Sequence, residues 1–309
     1  MSEEARALIV GGGVAAVSAA LWLHDFGVPF DWVDARGQVG GMLLRVNNRI
    51  GNFPGTEWAD GRELAAALRT QVSKHDLRPE TATLVGLLPA PDAPNTALRA
   101  DFEGLPPRRY EAVALATGTR YRTLGVPGEA ECMGRFVSQS AMADAERFAG
   151  REVAVVGGGD AALENALRLA SFECRVHLLM RSAPRARESF LEEARANPNI
   201  TLWPTPTLVT KISPAGDACD LALEGSDAPG TLRVAALFVR IGIAPVLPEV
   251  PGLELDARGF VHTDADRRSA VPGVFAIGDI RHTPLRSVAT ASGDGALAAR
   301  LIATDLGYL

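Results

Sequence analysis

Two glycine runs, one carboxylate and a set of arginines have the types and spacing to hold a nucleotide. Gly11, Gly13 and Ala16 form G-x-G-x-x-A in Val10-Gly11-Gly12-Gly13-Val14-Ala15-Ala16. The first glycine suits a tight turn, the second lets a phosphate approach bare backbone, and the small third residue allows close packing of helix on strand. The free N–H groups at Val14 and Ala15 would face a pyrophosphate. Glycines at strand–helix turns also occur for purely structural reasons, but two facts point beyond that. Asp34, followed by Ala35, ends the next apolar run 23 residues after Gly11, where a carboxylate meets ribose hydroxyls. The unit then recurs at an offset of 146 residues as Gly157-Gly158-Gly159-Asp160-Ala161-Ala162. At that offset Met180 replaces the acid, with Arg181 beside it and Arg185 and Arg187 close behind. Without the acid that would repel a 2′-phosphate, and with arginines at hand, this second site favours NADPH over NADH. A solvated basic loop is the plainer alternative.

The elements that must position these residues are strands and helices of an α/β chain. Apolar runs Ala7–Val10 and Val153–Val156 precede the glycines, and alanine-rich helical segments follow them. Length suits two domains, 309 residues in all, and 22% charged with 47% hydrophobic residues is ordinary globular composition. The net charge of −6 argues against nucleic-acid binding. The acidic start, Met1 to Arg6, runs straight into the first strand and no apolar span reaches 18 residues. That pattern predicts no signal peptide, no membrane span and a cytoplasmic address. Cys132, Cys174 and Cys219 stand 42 and 45 residues apart, which fits neither a disulfide framework nor a metal site. The five histidines are scattered, and no metal is assigned.

Between these units, Gly40-Gly41-Met42 and Ile50-Gly51-Asn52-Phe53-Pro54-Gly55 resemble the flavin-binding loops of the low-molecular-weight thioredoxin reductase family. Gly61 to Lys74 reads as a helix, and residues 81–115, which include Val85, as a small antiparallel sheet. Ala116-Thr117-Gly118 matches the family's alanine-threonine-glycine signature beside FAD, and Arg120 to Glu129 its linker. The run Leu237 to Pro245, which holds Ile241 and Gly242, resembles the family's return crossing. Near the end, Gly278-Asp279 and Arg286-Ser287-Val288 are the most specific match; the resemblance implies that Asp279 bonds the FAD ribityl chain. Ser287 stands where the family usually has glutamine. The resemblance spans essentially the whole chain. It implies two Rossmann-type dinucleotide-binding domains of three-layer ββα form: an FAD domain, 1–117 and 245–309, with an NADPH domain, 118–244, inserted in it.

The main departure falls where the family carries its Cys-x-x-Cys. Here the stretch is Ser138-Gln139-Ser140-Ala141-Met142-Ala143-Asp144, so Ser140 and Ala143 occupy the thiol positions and no catalytic residue is assigned. A hydroxyl and a methyl cannot relay electrons as a dithiol does. Asp144 is left with a structural role, read as a cap for the following helix. A related group, the thioredoxin-reductase-type ferredoxin (flavodoxin)–NADP reductases, shares the fold without the dithiol. Its implied acceptor, flavodoxin or ferredoxin, is the favoured outlet, docking on Arg281, His282, Arg286, Arg120 and Arg122. The alternatives are a thioredoxin-reductase-like disulfide reductase without its own dithiol, a small-molecule acceptor, and a catalytically silent flavin scaffold. A homodimer is expected from the family.

Overall fold

The computed structural model describes residues 5–90, 97–225 and 230–309 of the chain. Residues 1–4 of the acidic start and 91–96 of the expected antiparallel stretch lie outside the described residues. The chain divides into two compact units, Met1–Arg120 with Ala244–Leu309, and Tyr121–Ile243. Its two crossings, Thr119–Tyr121 and Ile243–Pro245, pair as a two-stranded sheet.

The discontinuous unit is built on five parallel strands in the order Val274–Ala276, Ala112–Leu115, Ala7–Val10, Phe30–Asp34, Glu80–Thr81. The alternation of a strand assigns Ala7 and Ile9 to one face and Leu8 and Val10 to the other. Ala7 and Ile9 pack under the helices Val14–Asp25 and Val288–Asp305. Leu8 and Val10 pack with residues of the antiparallel sheet Leu84–Pro89, Leu98–Phe102, Leu105–Tyr110. All four residues are at least 96% buried, which explains why the run carries no polar position. The two helices approach closely because small residues face each other: a Cβ on Gly295 would lie 2.3 Å from the carbonyl oxygen of Ala15.

The inserted unit repeats the plan. Its parallel sheet runs Ile200–Leu202, Arg175–Leu179, Glu152–Val156, Ala236–Val239, Val137–Ser138. Val153 and Val155 face the helices Asp160–Ala170 and Glu188–Ala196, while Ala154 and Val156 face the antiparallel sheet Thr207–Ala215, Ala218–Gly225, Thr231–Val234. Each unit therefore has three layers: antiparallel sheet, parallel sheet and helices. In each, the glycine loop leaves the central strand at its carboxyl end, where the strand order reverses and ligands of such sheets bind. Among the described residues, no helix is long and apolar enough to cross a membrane.

Candidate functional site

In the discontinuous unit, Gly11 turns at φ 119°, and a Cβ there would sit 2.3 Å from the carbonyl oxygen of Ala116. Only glycine allows these adjacent chain ends to touch. Gly13 has nothing within 4 Å of its Cβ position, so the space over the start of the helix carrying Val14, Ala15 and Ala16 is open. Asp34 follows its strand to the same end. Its Oδ2 lies 3.0 Å from a Cβ placed on Gly12, while its Oδ1 accepts from the backbone of Arg36 at 2.9 Å. Ala35 follows it. Gly40 donates to the carbonyl of Gly12 at 2.7 Å, and a Cβ on Gly41 would lie 3.0 Å from the Cα of Gly13. Gly41 and Met42 open the short helix Gly41–Arg45 there.

The distant segments converge on this loop. Thr117 Oγ1 bonds the carbonyl of Val246, and Gly118 accepts from the N–H of Val246 at 3.0 Å. Gly278 turns at φ 71° against Ala15, whose Cβ would be 2.9 Å from one added there. Asp279 follows. Burial raises the pKa of its carboxyl above the ordinary value; the Arg286 charge opposes that shift and the Asp294 charge adds to it. Val14, Phe53, Trp58, Val288 and Ser292 line one groove of about 400 Å³, which brings the 50–58 loop to the starts of two helices. Asn52 is exposed beside Phe53. Val85 lies on the antiparallel sheet, 45% exposed, its carbonyl accepting from Glu249.

Four side chains named in the sequence reading are held by partners of their own. Asp144 does not cap the next helix: its carboxylate accepts from Ser138 Oγ at 2.7 Å and from Arg147 at 3.2 Å. Arg281 does not offer a docking charge, because its guanidinium turns inward onto Asp294 at 2.5 Å and its side chain is 14% exposed. Arg286 is likewise engaged, donating to the carbonyls of Asp279 and Arg281 and stacking 3.9 Å from the centre of the Phe260 ring. Ser287 is committed to the capping box of the last helix, bonding Thr290 N at 3.1 Å.

Two residues that sequence reasoning missed hold the loop from behind. Trp32 Nε1 donates to the carbonyl of Gly11 at 2.7 Å, buried. Asp294, 2% exposed, accepts from Gly278 N at 3.1 Å and Arg267 Nε at 2.6 Å as well as from Arg281. The available signals were an indole in the strand Phe30-Asp31-Trp32-Val33-Asp34 and a single acid inside Ala-Ser-Gly-Asp-Gly-Ala.

The second loop repeats the first closely. Gly157 turns at φ 144°, with a Cβ position 2.3 Å from the carbonyl oxygen of Arg240, and Gly159 again has nothing within 4 Å. Arg185 N donates to the carbonyl of Gly158 at 2.7 Å, and Met180 Sδ lies 3.4 Å from a Cβ placed on Gly158. Asp160, at the helix start with Ala161, holds Arg187 through both the backbone N–H, 2.8 Å, and Nε, 2.9 Å. Arg181 and Arg185 are exposed, and among the described residues their guanidinium groups have no partner. Ile241 and Gly242 lie just beyond the strand Ala236–Val239.

The thiol positions carry a single turn, Ala141–Asp144, pinned by Asn165 Oδ1 accepting from Ala141 N at 2.6 Å. Ser138 Oγ accepts from Ser140 N at 3.1 Å, so the Ser138–Asp144 pair holds the same turn. Cys132, Cys174 and Cys219 are each 0% exposed. Burial raises the pKa of all three thiols, Cys219 to about 12, away from the reactive thiolate.

Residues 102–295 match the family described as pyridine nucleotide-disulphide oxidoreductase. A thioredoxin reductase of Treponema pallidum (strain Nichols) is 32% identical over 100% of this chain and 99% of its own length. One from Peptoclostridium litorale is 33% identical over 94% of this chain and 93% of its own. Among solved structures, thioredoxin reductase of Lactococcus lactis superposes with a TM-score of 0.80 at 26% identity, covering 99% of this chain and 100% of that one.

Proposed function

The chain belongs to the pyridine nucleotide-disulphide oxidoreductases, among their thioredoxin reductase-like flavoproteins, and from that premise we propose that it reduces an external disulfide without a dithiol of its own. It is an FAD-dependent NADPH oxidoreductase. The overall reaction would be NADPH + H⁺ + RSSR → NADP⁺ + 2 RSH. The residues fit both cofactors, because each glycine loop has one position closed against backbone and another left open over a helix start. FAD would be held by Gly11 to Ala16, Asp34, Gly40, Gly41, Ala116 to Gly118 and Asp279. NADPH would be held by Gly157 to Ala161 with Arg181 and Arg185 toward its 2′-phosphate. When bound, the pair supplies hydride transfer from nicotinamide to flavin, and the protein supplies position and electrostatics.

One observation carries the reading: where relatives would place a dithiol this chain places Ser140 and Ala143, and its three cysteines are fully buried. No accessible thiol of this chain can meet the acceptor. The two relatives described above are thioredoxin reductases, which favours a disulfide over flavodoxin or ferredoxin, and Arg281 and Arg286 are used internally. The test is anaerobic NADPH oxidation by the flavin-loaded protein with thioredoxin or a low-molecular-weight disulfide as acceptor. We expect two thiols released per NADPH consumed. If no thiol is released, and flavodoxin or ferredoxin instead stimulates cytochrome c reduction in a salt-sensitive way, the one-electron outlet replaces this reading. If NADPH fails to bleach the flavin at all, the silent scaffold does.

A further inference from the structure

The parallel sheet of the inserted unit reverses its strand order at Glu152–Val156, so its crevice opens between that strand and Ala236–Val239, at their carboxyl ends. Gly157 leaves one strand there and Arg240 leaves the other. Arg240 N donates to the carbonyl of Val156 at 2.9 Å, and its own carbonyl closes on Gly157. The run Leu237-Phe238-Val239-Arg240-Ile241 is apolar except for this residue.

The side chain of Arg240 is fixed from two directions. Its Nη1 donates to the carbonyl of Gln139 at 2.8 Å, and its Cζ stands 4.7 Å from the centre of the Tyr121 ring. A guanidinium is planar and its donors point in set directions, so fixing one nitrogen and the plane also fixes the Nε–H. That Nε is buried and has no partner among the described residues. A buried donor without an acceptor is costly and uncommon, and a bound ligand is one way of satisfying it.

We propose that Arg240 is a contact for the nicotinamide half of the dinucleotide, its Nε–H held ready for a ligand oxygen. The proposal rests on the second glycine loop holding NADPH. Strand order assigns the half: Met180, Arg181 and Arg185 follow Arg175–Leu179, on one side of Glu152–Val156, and Arg240 follows the strand on the other side. A pyrophosphate on the helix start at Asp160 divides the dinucleotide between those sides. The adenosine then falls toward Met180. The ribose hydroxyls and the carboxamide oxygen fall toward Arg240, and each can accept a hydrogen bond.

The experiment is calorimetric binding of NADP⁺, and separately of adenosine 2′,5′-bisphosphate, to the full flavin-loaded chain and its Arg240→Met and Arg240→Lys variants. Arg240→Met should weaken NADP⁺ about ten- to a hundredfold, the worth of a hydrogen bond from a charged group. Adenosine 2′,5′-bisphosphate should bind as in the wild type, which also shows that the unit is folded. Arg240→Lys keeps the charge without the fork and should fall between. Unchanged NADP⁺ affinity in Arg240→Met, or equal weakening of both probes, overturns the proposal. If the wild type binds neither probe, the reading of the second glycine loop falls and this one falls with it.

Discussion

The two glycine loops share their backbone plan and differ in what packs around it. In both, a Cβ on the first glycine would lie 2.3 Å from the carbonyl oxygen of a neighbouring strand end, the middle carbonyl accepts a 2.7 Å bond from the next loop, and the third glycine is open. The first loop then gains the Trp32 indole on Gly11 and the Asp34 carboxylate beside Gly12. Behind it, Asp294 ties Gly278 to two arginines. At the corresponding strand ends, the second loop has the soft side chain of Met180 in place of the acid, and its nearby Arg181 and Arg185 reach solvent without partners among the described residues. Packing of the first kind suits a resident cofactor, because a preorganised site lowers the cost of binding and slows release. Exposed arginines suit a nucleotide that enters and leaves each turnover, since surface charge speeds encounter.

The strongest way to break this comparison is to insert one methyl into each loop. Gly11→Ala and Gly157→Ala both force a Cβ onto a carbonyl oxygen at a backbone angle that side chains rarely adopt. Overpacking costs about 1–3 kcal/mol and the backbone strain a similar amount. We expect Gly11→Ala to purify without the visible flavin absorbance. Gly157→Ala should be yellow and should no longer bleach with NADPH. The opposite pairing of losses would exchange the cofactors between the units.

Next in size is Asp294→Asn. Removing the charge from a buried carboxylate that serves two arginines leaves those cations without a counter-charge, at a cost of about 3–5 kcal/mol. Thermal unfolding should shift down sharply, and flavin retention should fall with it. A melting temperature and flavin content like those of the wild type would show that Asp294 is not what holds the first loop.

Arg181→Ala probes the open side of the second loop. Loss of a charge-assisted contact to the 2′-phosphate should raise the NADPH Michaelis constant about ten- to a hundredfold and leave the NADH value nearly as it was. Equal effects on both nucleotides would make the loop merely basic. Met180→Asp sharpens the point by restoring the acid that Asp34 supplies in the first unit, and should move preference toward NADH.

The fold was readable because its signals are local and repeated. Apolar runs buried on both faces, glycines at the turn and alanine-rich helices mark each parallel strand and its helix, and the offset of 146 residues doubles every one of them. The parts that were not readable depend on partners far apart in the chain. Asp294 and Gly278 meet because the last helix lies against the first, and no periodicity announces that a lone acid there is buried. Arg281 looks like surface charge in sequence, yet it turns inward because Asp294 is waiting for it. Asp144 precedes a helical turn as a cap would, but Ser138, six residues earlier on an edge strand, takes its carboxylate instead. Side-chain direction at such positions is decided by tertiary neighbours that the local pattern does not contain.

The smallest effect is expected from the thiols, and here again the two units differ, since all three cysteines lie in the inserted one. Burial is the largest cause of each raised thiol pKa, with the nearby Cys132 and Asp220 adding to it at Cys219. The Cys132→Ser, Cys174→Ser, Cys219→Ser variant should therefore keep its NADPH-driven disulfide turnover, and iodoacetamide at pH about 8 should leave the native wild type unlabelled until it unfolds. A thiol whose native pKa is raised binds its proton more tightly when folded. Its contribution to stability is thus complete below the unfolded thiol pKa, about 8.5, and declines as pH rises toward about 12. Denaturant midpoints measured across that window should fall less steeply for Cys219→Ala than for the wild type. If the slopes coincide, Cys219 does not carry the alkaline loss. If the triple variant loses disulfide turnover while NADPH still bleaches its flavin, a buried thiol has been relaying electrons, and the reading of a chain without a working thiol fails.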